Sequence, residues 1–588
     1  MTETTTETTT ARPWLDAALP VDERVQLLLD AMSIEEKAGL LFHTMIAIGD
    51  LDEPDPTFAT PSAREFLEAK RMTHFNLLGA APTGREIAAW QNALQRLAAS
   101  TGLGIPVTLS TDPRHSFSEN PGASILAGPF SQWPETLGLA ATRDEELVER
   151  FADIARQEYT AVGLRVALHP QVDLATEPRW ARQTATFGED AELAGALGAA
   201  YIRGFQGTSF GPGSVSTMTK HFPGGGPQKD GEDPHFPYGR EQVYPGGEFE
   251  LHLKPFEDAL AAGTRQMMPY YGMPVGTEYE EVGFGFNKSV ITGLLRERYG
   301  FDGLVCTDWG LISDSEVFGQ PFPARAWGVE HLTPRERMKK VLDAGADQFG
   351  GEANPKLLLE LIADGEITEE RIDVSARRIL REKFELGLFE NPYVDEDAAD
   401  EIVGRAEFRA AGEDAQRASI TVLANDGALP FARGVKLYIE GIDAAVAASF
   451  GEVVATPDEA DLAVIRLQAP FEERATMFEN FFHAGSLAFT DEAIAHVRGI
   501  AEVVPTVVDV LADRPAILTP FAEVAAAMTV NWGASGTALL DVLSGTVPAR
   551  GRLPFDLPRS MAAVEASRPD VPFDTADPLF RFGHGLSL

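Results

Sequence analysis

Short apolar runs alternate with longer amphipathic stretches over the first two-thirds of the chain. The strand-like runs cover residues 40–47, 75–81, 107–110, 166–169, 215–219, 266–269, 303–306 and 346–350. Helical patterns lie between them, among them 85–98, 144–162, 191–205, 247–262, 288–299 and 333–344. Eight strands alternating with helices over about 350 residues predict a (β/α)8, TIM-like barrel. Several runs end in groups that a core does not favour: His43, Asp112, His169, Asp173, Lys220, His221, Tyr270, Tyr271, Asp308 and Glu352. In a parallel barrel the C-terminal strand ends emerge on one face, so residues far apart in sequence converge on one pocket.

The pattern breaks into an acidic, proline-containing stretch near 389–410, read as a linker with some helix. Strand-like runs resume at 420–424, 435–439, 462–467, 506–510 and 526–530, with helical patterns at 491–500 and 537–543. This predicts a second, smaller α/β layer with a mostly parallel sheet. The expected organisation is a tail at 1–12, a barrel at 13–390, a linker at 391–411 and a second α/β domain at 412–588. The Thr/Glu-rich tail is expected to be disordered, and has neither the apolar core of a signal peptide nor that of an anchor.

Charge narrows the partners. With 49 basic and 89 acidic residues the net charge is −40. Such a chain repels phosphate backbones and anionic bilayers, so neither nucleic acid nor membrane is expected. The single cysteine, Cys306, excludes an internal disulfide framework and a cysteine-rich zinc site. No H-E-x-x-H cluster occurs, and neither a metal nor a cofactor is expected. No run approaches the roughly 18 apolar residues of a membrane span, and a cytoplasmic protein is expected. A homodimer is left open.

The segment 294–310, LLRERYGFDGLVCTDWG, carries the most chemistry. A helix ends, a turn follows, and a buried strand leads to Asp308 beside Trp309. A carboxylate there can attack an anomeric carbon while the indole packs on the apolar face of a pyranose. The same spacing also suits an Asp that caps the next turn. Lys220 and His221, at the end of another run, can hold sugar hydroxyls and keep a nearby Asp ionised. Elsewhere such a pair is an ordinary solvated loop.

These residues resemble glycoside hydrolase family 3, exo-acting retaining β-glycosidases built from a barrel and an α/β sandwich. Leu109-Ser-Thr-Asp112 is similar to the family's sugar-binding Asp at a strand end. Glu177-Pro-Arg-Trp-Ala-Arg182 with Phe187-Gly-Glu-Asp190 resembles its P-R-W-G-R…S-E-D block. Lys220-His221-Phe222 matches its K-H-F, and Thr307-Asp308-Trp309 resembles its S-D-W. In the sandwich, SITVLANDGALP at 419–430, Gly551-Arg-Leu-Pro554 and Phe582-Gly-His-Gly-Leu586 are similar to the family's opening and closing segments. Thr307 and Ala181 replace the usual Ser and Gly. The family's frequent fibronectin-like module is not expected, since the sequence ends at Leu588.

The resemblance implies a retaining exo-β-glycosidase, foremost a β-glucosidase acting on a small-molecule or oligosaccharide β-glycoside. Asp308 is then the nucleophile. Asp112, Arg182, Lys220 and His221 bind the terminal sugar, with Trp309 and either Tyr270 or Tyr271 beside the nucleophile. For the acid/base the family offers two solutions. One is a sandwich Glu, here Glu472 in Pro470-Phe-Glu-Glu-Arg474, with Glu473 as the neighbouring choice. The other is the Asp-x-His dyad of the β-N-acetylglucosaminidase branch, here Asp233-Pro-His235. That branch's G-H-G histidine is Gly225 in this chain, and the spacing from Lys220 is longer. Glu472 is preferred because the sandwich is intact. Both glutamates could also be plain solvated acids.

Rival readings carry less. Gly207-Thr-Ser209-Phe-Gly211 has the form of an esterase elbow, but a helical pattern rather than a strand precedes it. The segment 283–289 resembles a phosphate loop without the required spacing. A non-catalytic carbohydrate-binding protein would have no need of Asp308.

Overall fold

The computed structural model describes residues 12–113, 115, 116, 125–317 and 319–588. Apart from Arg12, the expected tail at 1–12 lies outside the described residues.

The apolar runs of the first two-thirds form eight parallel strands: β1 (Phe42–Ala47), β2 (His74–Leu78), β3 (Thr108–Thr111), β4 (Leu164–Ala167), β5 (Ser216–Phe222), β6 (Gln266–Pro269), β7 (Leu304–Val305) and β8 (Phe349–Gly350). They pair in sequence order, β8 pairs with β1, and a bridge between Cys306 and Gln348 closes the circle. Nearly every strand residue is buried, as expected where helices cover one face and the barrel interior fills the other.

The helices between strands start where the sequence offers caps. Thr83, Asp144, Asp190 and Thr333 each accept a backbone N–H of the first turn of Gly84–Ala99, Glu145–Ala161, Ala191–Gln206 and Pro334–Ala344. The last of these ends on Gly345 in the left-handed region, where a glycine carries no Cβ penalty. The amphipathic stretch 288–299 becomes a π-type helix over Ser289–Arg298. Further helices, Val21–Ala31, Ile34–Leu40, Pro355–Ala363 and Glu369–Glu385, complete the outer layer.

His43 corrects the strand-end expectation. It is the second residue of β1, inside the barrel, with Nε2 at 2.7 Å from the Ser110 hydroxyl. Burial pushes its imidazole down to about 3. The barrel thus buries a neutral histidine rather than presenting it at the mouth. Glu352 is past a strand end, but its carboxylate accepts the backbone N–H groups of Ile312 and Ser313 and so fixes the loop after Asp308.

Residues 391–405 carry the helix Glu396–Ile402, which packs on Gly84–Ala99. Helix Ala406–Ser419 leads into a six-stranded sheet: β9 (Thr421–Asn425), β10 (Lys436–Glu440), β11 (Glu452–Val453), β12 (Leu462–Gln468), β13 (Thr506–Leu511) and β14 (Ala527–Asn531). Its order is β9-β14-β13-β12-β10-β11, parallel except for the β9–β14 pair. Separate apolar cores cover its two faces. The sandwich is seated on the barrel by buried contacts. Leu137 and Ala141 of the barrel helix Thr136–Thr142 join one sandwich core, and the Glu135 N–H donates to the Trp532 carbonyl at 2.7 Å.

Candidate active site

The strand ends deliver their polar residues to one mouth. β5 itself ends in Lys220, His221 and Phe222; Asp112 follows β3, His169 and Asp173 follow β4, Tyr270 and Tyr271 follow β6, and Asp308 follows β7.

Lys220 Nζ donates to Asp112 Oδ1 at 2.7 Å, and His169 Nδ1 lies 2.8 Å from the same oxygen. Burial pulls the Lys220 ammonium down, while Asp112 favours its charged form. The pair is buried, so each charge depends on the other for compensation.

His221 is oriented from behind. Its Nδ1 lies 2.7 Å from Asp173 Oδ2, and the N–H groups of His221 and Gly225 donate to Asp173 Oδ1 at 3.1 and 2.5 Å. Burial pushes Asp173 up to about 6, with those N–H groups opposing. Burial, reinforced by Arg182 and Lys220, holds the His221 imidazole far below its ordinary range, so it is neutral. With Nδ1–H given to Asp173, Nε2 is left as an acceptor. It faces Asp308 Oδ2 at 3.7 Å.

Asp308 is fixed by its neighbours. Its Oδ1 accepts the Trp309 N–H at 2.8 Å. The Thr307 hydroxyl accepts the Gly350 N–H at 2.9 Å, which ties the Thr-Asp-Trp turn to β8. Tyr271 donates its hydroxyl to the Trp309 carbonyl at 2.8 Å and sits beside the Asp308 carboxylate. Arg325 donates to that carbonyl from Nη2 at 2.7 Å. The half-buried Trp309 ring packs against His43, with centroids 5.3 Å apart. Tyr270 instead packs on His221 and accepts the Trp180 indole N–H at 3.2 Å. The tyrosine next to Asp308 is therefore Tyr271.

Arg182 lies among Asp233, Tyr270, Asp308 and Asp112; burial opposes its charge, but these groups more than restore it. Arg182 Nη1, His221 Nε2 and Asp308 Oδ2 are all buried without a hydrogen-bond partner among the described residues. Unsatisfied buried polar atoms cost about 1–3 kcal/mol each, and these three, one donor and two acceptors, face one mouth where a polar ligand can pair with them. Among the described residues no group of His, Cys, Asp and Glu could hold a metal ion.

The two acid/base candidates sit differently. His235 Nδ1 is 2.6 Å from Asp233 Oδ1, and its ring lies 4.6 Å from that of Tyr271. Burial would raise the Asp233 carboxyl, but His235 and Arg182 hold it below its ordinary value. Glu472 is an exposed residue just past β12; its Oε1 accepts the Ser486 N–H at 3.2 Å, and Oε2 lies 4.0 Å from Arg474. Glu473 is exposed beside it. The loop that carries Glu472 reaches the barrel mouth. Its Phe478 and Phe482 pack on His235, with centroids at 6.2 and 4.6 Å.

Sequence reasoning gave Asp173 no role beyond ending a strand, and missed Arg325 altogether. Asp173 stands four residues after His169 past β4, a position that hints at the pocket but not at His221. Ser209 lies in a loop after the helix Ala191–Gln206, so it is no strand-to-helix elbow.

Residues 70–382 match the glycosyl hydrolase family 3 N-terminal domain, and residues 407–588 match the family's C-terminal domain. The chain is 52% identical to beta-glucosidase C of Emericella nidulans over 97% of its length and 93% of the relative. It is 42% identical to a periplasmic beta-glucosidase/beta-xylosidase of Dickeya chrysanthemi over 98% of its length and 91% of the relative. A solved beta-glucosidase from Listeria innocua, in complex with laminaribiose, has the same fold, with a TM-score of 0.77 at 21% identity over 96% of this chain and 83% of that one. The expectation of a cytoplasmic protein is overturned by this comparison, because a relative matching over nearly the whole chain is a periplasmic enzyme. No helix among the described residues is long and apolar enough to cross a membrane. With both domains matched and the resemblance running over nearly its whole length, the chain belongs to glycosyl hydrolase family 3.

Proposed function

We propose that this glycoside hydrolase removes terminal non-reducing β-linked glucose by double displacement through a glycosyl-Asp308 intermediate. The observation that carries the reading is the convergence of Arg182 Nη1, His221 Nε2 and Asp308 Oδ2, buried and unpartnered, on one barrel mouth. The names of the full-length relatives support glucose as the sugar, and one of them adds xylose. Asp308 attacks the anomeric carbon. Asp112, Lys220, His221 and Arg182 hold the ring hydroxyls, and Trp309 packs on the sugar's apolar face.

Glu472 protonates the leaving oxygen and then deprotonates water. Retention requires its carboxyl group to stand about 5–5.5 Å from that of Asp308 across the scissile bond. Support comes from its loop, which docks on the mouth through Phe478 and Phe482. The second reading is the Asp233/His235 dyad, favoured by the 4.6 Å approach of His235 to Tyr271, which itself adjoins Asp308. In this reading the barrel spans 13–390, the linker 391–411 and the sandwich 412–588.

A panel of chromogenic β-glycosides on wild type, Asp308→Asn, Glu472→Ala and His235→Ala tests the reading. Glucoside turnover, loss of about 10⁴-fold in Asp308→Asn, and azide rescue confined to Glu472→Ala are expected. Rescue in His235→Ala instead moves the acid/base to the dyad. A 2-fluoroglucoside that leaves no adduct on Asp308 removes the nucleophile assignment.

A further inference from the structure

Arg514 follows β13 at the face of the sandwich that meets the barrel and is wholly buried. Burial pulls its guanidinium down to about 10, so it remains a cation at neutral pH. Its hydrogen bonds go to main-chain oxygens on both sides of the domain boundary. Nη2 donates to the Pro470 carbonyl at 2.8 Å and to that of Ala484 at 3.4 Å, and Nη1 to that of Gly485 at 3.3 Å. Nη1 also donates to the Arg179 carbonyl of the barrel at 2.8 Å.

Those positions have a common meaning. Pro470 and Gly485 are the two ends of the loop that carries Glu472. At the same base the Glu472 N–H donates to the Ala484 carbonyl at 3.0 Å, and Ser486 holds the Glu472 carboxylate. Arg179 lies beside Trp180, which bonds Tyr270, and three residues before Arg182 at the pocket. The preceding residue, Asp513, pairs with His483, whose ring stacks on Phe471 at 3.9 Å. One cation therefore pins both ends of the loop to the barrel segment that reaches the sugar.

We infer that Arg514 is a positioning residue for the acid/base: it sets the reach of Glu472 toward the glycosidic oxygen by clamping the base of its loop to the Arg179–Arg182 segment. This rests on Glu472 being the acid/base, which azide rescue of Glu472→Ala tests separately. A planar guanidinium with several donors in a fixed fork is suited to hold several carbonyls at once; lysine is not.

The readout is leaving-group dependence, because help from a general acid matters most when the leaving group is poor. In Arg514→Met and Arg514→Lys, kcat/KM on an alkyl β-glucoside is expected to fall about 10- to 100-fold. On 2,4-dinitrophenyl β-glucoside the fall is expected to stay within a few-fold. In the Glu472→Ala background, Arg514→Met is expected to add no further leaving-group effect. Gly485→Ala, which displaces Glu472 directly, is the positive control for this signature. A Cβ there would lie 2.4 Å from the Glu472 carboxylate, so the same signature is expected. Equal losses on both substrates in folded variants would reduce Arg514 to a structural residue and overturn the inference. A steepened leaving-group dependence that persists without Glu472 would also overturn it. Absence of azide rescue in Glu472→Ala, by contrast, removes the acid/base assignment on which it stands.

Discussion

His221 Nε2 and Asp308 Oδ2 face each other across 3.7 Å, both buried and neither bonded to another described residue. Both atoms are acceptors, so two donors, such as two hydroxyl groups, are needed to satisfy the pair. Asp173 creates the arrangement by accepting the Nδ1–H hydrogen bond on the far side of the imidazole.

Asp173→Asn keeps the shape but replaces an acceptor with an amide that can donate, which reverses the tautomer of His221. Losing a charge-assisted bond of about 1.5–3 kcal/mol corresponds to a fall of about 10- to 100-fold in kcat/KM. Steady-state kinetics beside an unchanged circular dichroism spectrum checks this. Activity within two-fold of wild type would show that the imidazole needs no orienter.

Asp112→Ala leaves the Lys220 ammonium buried without the carboxylate 2.7 Å away. Breaking a buried ion pair from one side costs about 3–5 kcal/mol. Denaturant unfolding is expected to show that loss together with a raised KM. The double variant Asp112→Ala/Lys220→Met is expected to recover part of the stability and none of the activity.

Glu189 of the barrel accepts the N–H groups of Asp556 and Phe573 at the sandwich boundary. Burial pushes its carboxyl up to about 8, with Asp556 and Asp190 adding to the rise against those N–H groups. A raised carboxyl pKa means that the folded state binds more protons than the unfolded one, whose Glu titrates at about 4.3. Its contribution is full below that value and is lost as pH rises toward 8. Calorimetry at pH 5, 6.5 and 8 is expected to show a Tm that declines less in Glu189→Gln than in wild type. Parallel declines would place the proton elsewhere.

A Cβ at Gly350 would lie 2.2 Å from the Thr307 carbonyl oxygen and 2.6 Å from the Trp309 ring. Gly350→Ala must therefore push the Thr-Asp-Trp turn away from β8. Overpacking of this kind costs about 1–3 kcal/mol. Because the turn carries Asp308, kcat is expected to fall more than stability predicts. Thermal unfolding and kcat measured on the same preparation separate the two effects.

The sequence by itself determined the barrel and the sandwich. Their apolar runs are short, bounded and separated by amphipathic helices, and strand burial on both faces needs no knowledge of neighbours. The pattern at 266–269 is strand β6 to the residue, and 462–467 differs from β12 by one. It also determined which residues stand at strand ends, because a polar group after a buried run is a local signal. His43 shows the limit of that signal. A polar residue within an apolar run reads the same whether it faces the mouth or the barrel interior, and only the pairing with Ser110 distinguishes them.

Tertiary structure decided the rest. Asp173 orients His221 from 48 positions away, Tyr271 rather than Tyr270 adjoins Asp308, and Arg514 grips Arg179 across 335 positions. None of these relations has a sequence period, because each depends on the angle at which separate elements pack and on which buried atom lacks a partner. Propensity and patterning act over a few residues, whereas hydrogen-bond satisfaction in a buried site is settled only once the whole chain has closed around it.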